Sequence, residues 1–258
     1  MSSIKIMVAA HKKFPMPENK DLYLPVLVGA KRNYKRDIYF QRDDEGENIS
    51  EKNSNYNELT AIYWAWKNLK SVEAIGLVHY RRLFASDRYK NVPITKNEVE
   101  ELLENNSVIL PKKRNYYIET NESHYIHAHN NVPLNELKQL IKENYSEYYK
   151  SFEEVMGSHK AHMFNMFIMK KPVFDNYASF IFSILSDLEK RIDISSFSIQ
   201  EARVYGYLSE LLMDVWIKKN KIDYVEVPWY QLGDKHLAKK MISFVLRKFG
   251  FKDIKTHF

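Results

Sequence analysis

The chain predicts an α/β fold with a mostly parallel central sheet and flanking helices. Short apolar runs rich in β-branched residues alternate along it with longer stretches of helical apolar spacing, the pattern of strands alternating with helices. One run, Ala74 to Val78, has the length and composition of a buried strand and stops abruptly at His79-Tyr80-Arg81-Arg82. Open α/β sheets bind ligands at the carboxyl ends of their strands. Two adjacent guanidinium forks there suit a phosphate or diphosphate.

The elements follow in order. Ile4 to Ala10 reads as a first strand, ending at His11-Lys12-Lys13, and Pro15 and Pro17 then force a loop. Leu22 to Val28 is a second short strand closed by Gly29, and residues 42–48 are polar and turn-rich. A helix is predicted from about Asn57 to Lys70, with Asn55 or Asn57 as its cap and Glu58 at its positive end. After the strand to His79 come a short helix over 98–105, a strand over 107–110 stopped by Pro111, and an aperiodic polar and aromatic loop over 112–132. Helices are predicted over 134–149, 173–190 and 199–219, a buried strand over 163–169 and a last strand over 224–229. No internal repeat or linker interrupts the chain, so residues 1–234 form one domain, followed by a basic amphipathic tail over 235–258. Such a tail suits an anionic membrane surface or a place packed against the domain.

Composition narrows the chemistry. With 258 residues and no cysteine, disulfides, thiolate metal sites and cysteine nucleophiles are excluded, and a reducing compartment fits. The opening residues are expected to enter a strand directly rather than act as a signal peptide, and no run reaches the roughly 18 apolar residues of a membrane span. A net charge of +6 favours anionic partners. Nucleic acid is not expected among them, because the basic residues are scattered among acids and no nucleic-acid motif stands in the chain. Many of the 18 tyrosines, 14 phenylalanines and 4 tryptophans must be core, and a surplus of tyrosine is also compatible with stacking on sugars or bases.

Several constellations could carry chemistry. His79, Arg81 and Arg82 read either as a diphosphate receptor or as a solvated basic turn. On the aromatic helix, Trp64 reads as core, while Glu58, Thr60 and Lys67 could face a site. Asn165 lies between bulky apolar residues and needs a partner if buried: a sugar hydroxyl or neighbouring backbone. Arg203 and Glu210, seven residues apart, share a helix face and read as an ion pair or as ligand-facing groups. His159 and His162, like His124, His127 and His129, lack the accompanying carboxylates of a zinc site.

Taken together these blocks resemble a family of bacterial capsule and O-antigen glycosyltransferases, formerly known only as a domain of unknown function, some of whose members are galactofuranosyltransferases. The matching stretches are Val8 to Lys12, Asn48 to Asn53, Glu58 to Asn68, Gly76 to Arg82, Asn165 to Met169 and Arg203 to Glu210. The resemblance implies a GT-A-like fold. It also implies a nucleotide-sugar donor, UDP-galactofuranose foremost, and a lipid-linked glycan acceptor at the cytoplasmic face of the plasma membrane. Such folds often hold a manganese or magnesium ion on an Asp-x-Asp pair, and this sequence has none.

On that reading Ala10, His11, Lys12, Thr60, His79, Arg81, Arg82, Asn165 and Arg203 contact the donor. Tyr125 and His129 contact the acceptor, and Glu58, His162 and Glu210 are the candidates for the group that takes the acceptor's proton. The alternative is a nucleotide- or glycan-binding protein with a transferase fold and no turnover.

Overall fold

The computed structural model describes residues 3–88 and 91–232, so the expected tail over 235–258 lies outside the described residues. The chain folds as β1 (Ile4–Ala10), β2 (Tyr23–Leu27), α1 (Ala30–Asn33), β3 (Gln41–Arg42), α2 (Asn53–Tyr56), α3 (Leu59–Asn68), β4 (Ala74–His79) and β5 (Arg82–Phe84). It continues as α4 (Lys96–Asn105), β6 (Val108–Pro111), β7 (Arg114–Asn115), α5 (Asn121–Ala128), α6 (Val132–Asn144), α7 (Ser146–Met156), β8 (Lys160–Ala161) and β9 (Phe167–Lys170). It ends as α8 (Lys171–Glu189), α9 (Val204–Asn220), β10 (Tyr224–Val227) and β11 (Trp229–Gln231).

The main sheet has the strand order β10-β6-β9-β4-β1-β2-β3, with β5 and β11 paired beside the end of β4. β3, β2, β1 and β4 are mutually parallel, as are β6 and β10. β9 runs antiparallel between β4 and β6, which leaves β6 and β10 pointing the same way as β4. The strands read as apolar runs because both faces are covered. Met7, Leu77 and Phe167 pack with the helices α3 and α6 to α9. Their chain neighbours Ile6, Val78 and Ile168 pack with α4, β5 and β11 on the other face. In mid-strand Gly76 is required by close approach, since a Cβ there would stand 2.9 Å from Ile168 Cγ1 and 3.0 Å from the Phe167 carbonyl oxygen.

Four expectations from the sequence need correction. The helix expected from about Asn57 starts at Leu59 with neither Asn55 nor Asn57 as its cap, and a separate short helix, α2, precedes it and ends where Asn57 takes φ 51°, a conformation asparagine tolerates. The helix expected over 134–149 divides at Tyr145 into α6 and α7. The loop over 112–132 contains β7 and α5, whose start is capped by Thr120. The buried Glu119 carboxylate lies just before α5 and meets His124 Nδ1 at 2.7 Å and His127 Nδ1 at 2.8 Å. The strand over 163–169 begins only at Phe167, because Phe164 and Asn165 both take positive φ, 74° and 52°.

The polar segment after β3 hides a structural hub. Asp43 is fully buried, and its carboxylate accepts the backbone N–H of Gly29 at 2.7 Å and of Ala30 at 2.9 Å. It also accepts the hydroxyls of Ser50 at 2.5 Å and Thr60 at 2.6 Å. One side chain thus ties the end of β2 to α3. Gly29, at φ 61°, has no room for a Cβ because Asn53 Oδ1 would stand 2.5 Å from it. Among the described residues no helix is long and apolar enough to cross a membrane.

Removing the carboxylate strands two backbone donors and two hydroxyls in the interior, at about 1–3 kcal/mol for each buried group left unpaired. Asp43→Ala should therefore destabilise the protein by about 3 kcal/mol or more, read as a lowered urea midpoint.

Candidate functional site

From β1 the chain builds outward through β2 and β3, then returns to place β4 on the other side of β1. That reversal is a topological switch point, where open α/β sheets leave a crevice at the carboxyl ends of the strands. Ala9 pairs with His79 at that end, so Ala10, His11 and Lys12 emerge beside His79, Tyr80, Arg81 and Arg82. His11 and Phe14 pack edge-on against the Tyr80 ring at 5.4 and 4.8 Å. Burial lowers the pKa of His11, helped by the nearby charges of Lys12, Arg81 and Arg203.

The far wall is the left-handed turn Phe164-Asn165. His79 Nε2 meets the Phe164 carbonyl at 2.6 Å. A carbonyl only accepts, so Nε2 carries the proton. Burial lowers the pKa of His79 despite Glu58 and this hydrogen bond, leaving the neutral ring with an acceptor at Nδ1. The Phe164 N–H donates to Glu210. The Phe164 ring lies under the Arg82 guanidinium at 4.3 Å and meets Trp229 edge-on at 4.9 Å. Asn165 is buried, and its amide donates to Glu58 Oε1 at 2.7 Å and to the Gly206 carbonyl at 3.2 Å. Its own carbonyl accepts the Ser209 hydroxyl at 2.9 Å.

Glu58 and Glu210 form a carboxylate pair. Burial, then the charge of Glu58, push Glu210 up to about 8, against the pull of the Phe164 N–H, Arg82 and Arg203. At neutral pH Glu210 therefore holds a proton. Arg203 is fixed by Asn57, whose Oδ1 accepts from its Nε at 2.9 Å, and it leans over the Tyr207 ring at 5.4 Å. Gly206 leaves room for this clamp, since a Cβ there would lie 2.1 Å from Asn57 Nδ2. Burial lowers the Arg82 pKa, with Glu210 and Glu58 opposing, and its buried Nε has no hydrogen-bond partner among the described residues. A desolvated guanidinium with an unpaired donor is suited to an anionic ligand.

Tyr125 and His129 join this cluster through a chain of rings. Tyr125 lies 4.9 Å from His129, and His129 stacks on Tyr207 at 4.1 Å. Three residues expected at the site have other work. Thr60 is fully buried and its hydroxyl serves Asp43 rather than a donor. His162 is buried, with its backbone N–H and Nδ1 turned to Asp214 and its Nε2 3.2 Å from Glu226. Lys67 likewise pairs with Glu47 at 3.1 Å.

Residues 5–221 match the family described as a domain of unknown function, DUF4422. The chain belongs to the DUF4422 family. No curated protein matches it. Among solved structures it is similar to the apo structure of WbbM, a bifunctional glycosyltransferase, with a TM-score of 0.79 and 26% sequence identity. The alignment covers 90% of this chain and 46% of that one, so the chain spans about half the length of WbbM. The likeness makes this DUF4422 architecture a GT-A-like glycosyltransferase fold. Among the described residues no group of three or more His, Cys, Asp or Glu side chains is placed to hold a metal ion. β4 of this DUF4422 chain ends in His79, Tyr80, Arg81 and Arg82.

Sequence reasoning about this DUF4422 chain missed Asn57, Phe164 and Tyr207 as parts of the site. Phe164 acts through its backbone, which no side-chain pattern reveals. Asn57 is a positive-φ residue between two helical segments, and such a break is the signal that could have singled it out.

A carboxyl group held at about 8 in the folded chain, against 4.5 ordinarily, stabilises the fold while it stays protonated in the native state. That contribution is complete below the unfolded pKa and is lost as pH rises through the folded one. Relative to Glu210→Gln, the wild type should therefore lose stability between about pH 5 and pH 9, measured by urea unfolding across that range. Parallel pH curves for the two proteins would contradict the assignment.

Proposed function

We propose that this chain is a glycosyltransferase that moves a sugar from a nucleotide-sugar donor to a lipid-linked glycan acceptor in capsular or O-antigen polysaccharide synthesis, with UDP-galactofuranose as the donor. The observation that carries the reading is the half-buried Arg82 at the switch point, its Nε unpaired among the described residues. The GT-A-like fold and the likeness to a protein named as a glycosyltransferase support it. The further steps, to galactofuranose and to the lipid-linked acceptor, follow the family resemblance in the sequence.

In this reading Arg81 and Arg82 bind the donor diphosphate and stabilise the charge that develops as it leaves. His11, Lys12 and Arg203 add positive potential around it, and Ala10 lets the nucleotide approach the end of β1. His79 does two things: it holds the Phe164 carbonyl and offers Nδ1 as an acceptor. Asn165, its amide already engaged by Glu58 and Gly206, acts by positioning Glu58 rather than by grasping the sugar. Glu58 then takes the proton of the acceptor hydroxyl, and the protonated Glu210 beside it keeps the pair from carrying two charges. Tyr125 and His129, stacked through Tyr207, line the acceptor side.

Calorimetry with UDP in EDTA, then with manganese, tests donor binding and its metal requirement. Binding in EDTA that is lost in Arg82→Ala is the expected result. Binding only with manganese would move the diphosphate site elsewhere. In a transfer assay Arg82→Ala and Glu58→Gln should each lower kcat by on the order of 10²-fold or more. UDP binding with no transfer to any acceptor would favour the non-catalytic nucleotide-binding alternative.

A further inference from the structure

Helix α9 carries a polar stripe at residues 207, 210, 214 and 218, a run of three- and four-residue steps that keeps them on one face, and Arg203 and Lys221 flank the helix at its two ends. Arg203 and the first half of the stripe, Tyr207 and Glu210, belong to the site at the sheet edge. The second half, Asp214 and Lys218, enters with Lys221 a separate pocket of about 310 Å³ between α7, α9 and the start of β10. Lys113, Glu154, Ser158, Lys160 and Tyr224 complete its polar lining. Lys218 lies about 12 Å along the helix from Glu210.

The pocket combines three kinds of group. Lys218 is neutralised by Glu154 at 2.8 Å, whereas Lys160 and Lys221 have no ion pair among the described residues, leaving a surplus of positive charge. Lys221 takes φ 51° at the end of α9, a place where glycine or asparagine is usual. Acceptors and hydroxyls form the floor. Asp214 is held by His162, whose other ring nitrogen faces Glu226, and the Tyr224 hydroxyl accepts from Lys113 Nζ at 3.2 Å. Ile217, Ile222 and Val155 supply an apolar side. Cations match a carboxylate, fixed acceptors match hydroxyl donors, and an apolar wall matches the C–H face of a sugar ring. A bare polyphosphate fits less well, because it offers neither hydroxyl donors nor an apolar face.

We propose that this pocket binds an acidic sugar of an anionic oligosaccharide and is the distal subsite for the acceptor glycan. Its identification with the acceptor rests on the transferase reading; the binding of an acidic glycan does not.

The test is calorimetry on the full chain at low salt, with a hyaluronan tetrasaccharide, which alternates glucuronate with N-acetylglucosamine, as probe. Maltotetraose is the neutral control, and inorganic pyrophosphate and UDP are titrated separately. The tetrasaccharide should bind the wild type and maltotetraose should not. The double variant Lys160→Glu/Lys221→Glu should weaken tetrasaccharide binding by about tenfold or more, with UDP affinity within about twofold, which also shows the variant is folded. Failure of the wild type to bind the tetrasaccharide, or undiminished binding in the variant, overturns the pocket. Pyrophosphate binding that the variant loses, without tetrasaccharide binding, overturns the sugar assignment. Tetrasaccharide binding by a wild type that does not bind UDP upholds the pocket and overturns the transferase reading.

Discussion

The carboxamide of Asn165 makes three hydrogen bonds to two other parts of the chain: Glu58 just ahead of α3, and Gly206 and Ser209 in α9. Most of the site's geometry depends on it. For the amide to reach all three, the backbone turns through two left-handed residues, one of them a phenylalanine, at a cost of about 1–3 kcal/mol for a side chain in that region. The turn offsets this locally. It presents the Phe164 carbonyl to His79, the Phe164 N–H to Glu210 and the ring to Arg82. A regular strand through these residues would leave the carboxylate pair and the guanidinium without a common neighbour.

Burial gives the pair its character. Burial and the neighbouring charge of Glu58 together raise Glu210 to about 8, so it keeps its proton near neutrality. Arg82 is pulled in both directions, drawn towards Glu58 and Glu210 yet desolvated. The sheet makes the arrangement available. The switch between β1 and β4 opens a crevice at their carboxyl ends, and the antiparallel β9 keeps β6 and β10 oriented with β4, so the same rim extends across the molecule.

Much of this was legible in the residues. Strands buried on both faces leave apolar runs that can be read directly, as β1 and β4 show. The abrupt change from Val78 to His79 marks the strand end where the basic cluster stands. Glu58, Arg203, Glu210 and Asn165 stood out as polar groups among apolar neighbours, and they do converge. What local pattern cannot carry is the partner. Thr60 and Asp43 are seventeen positions apart, and their hydrogen bond turns an apparent site residue into a structural one and an apparent loop acid into a buried hub. His162 likewise depends on Asp214, 52 residues away. Residues 112–132 looked irregular because α5 is short and polar, with its histidines turned to Glu119 rather than to an apolar face.

Because Arg203, Glu210 and Asp214 all project from the region of one helix, their spacing is tied to chain length itself. Adding or deleting a residue between them would rotate everything beyond by about 100° and shift it by about 1.5 Å along the axis. Asp214 would turn away from His162 and the lysines beyond it would leave their pocket, while the Arg203 end stayed in place. Across relatives that keep both ends of this helix in use, its length between these residues should be less free to vary than that of the loops around it.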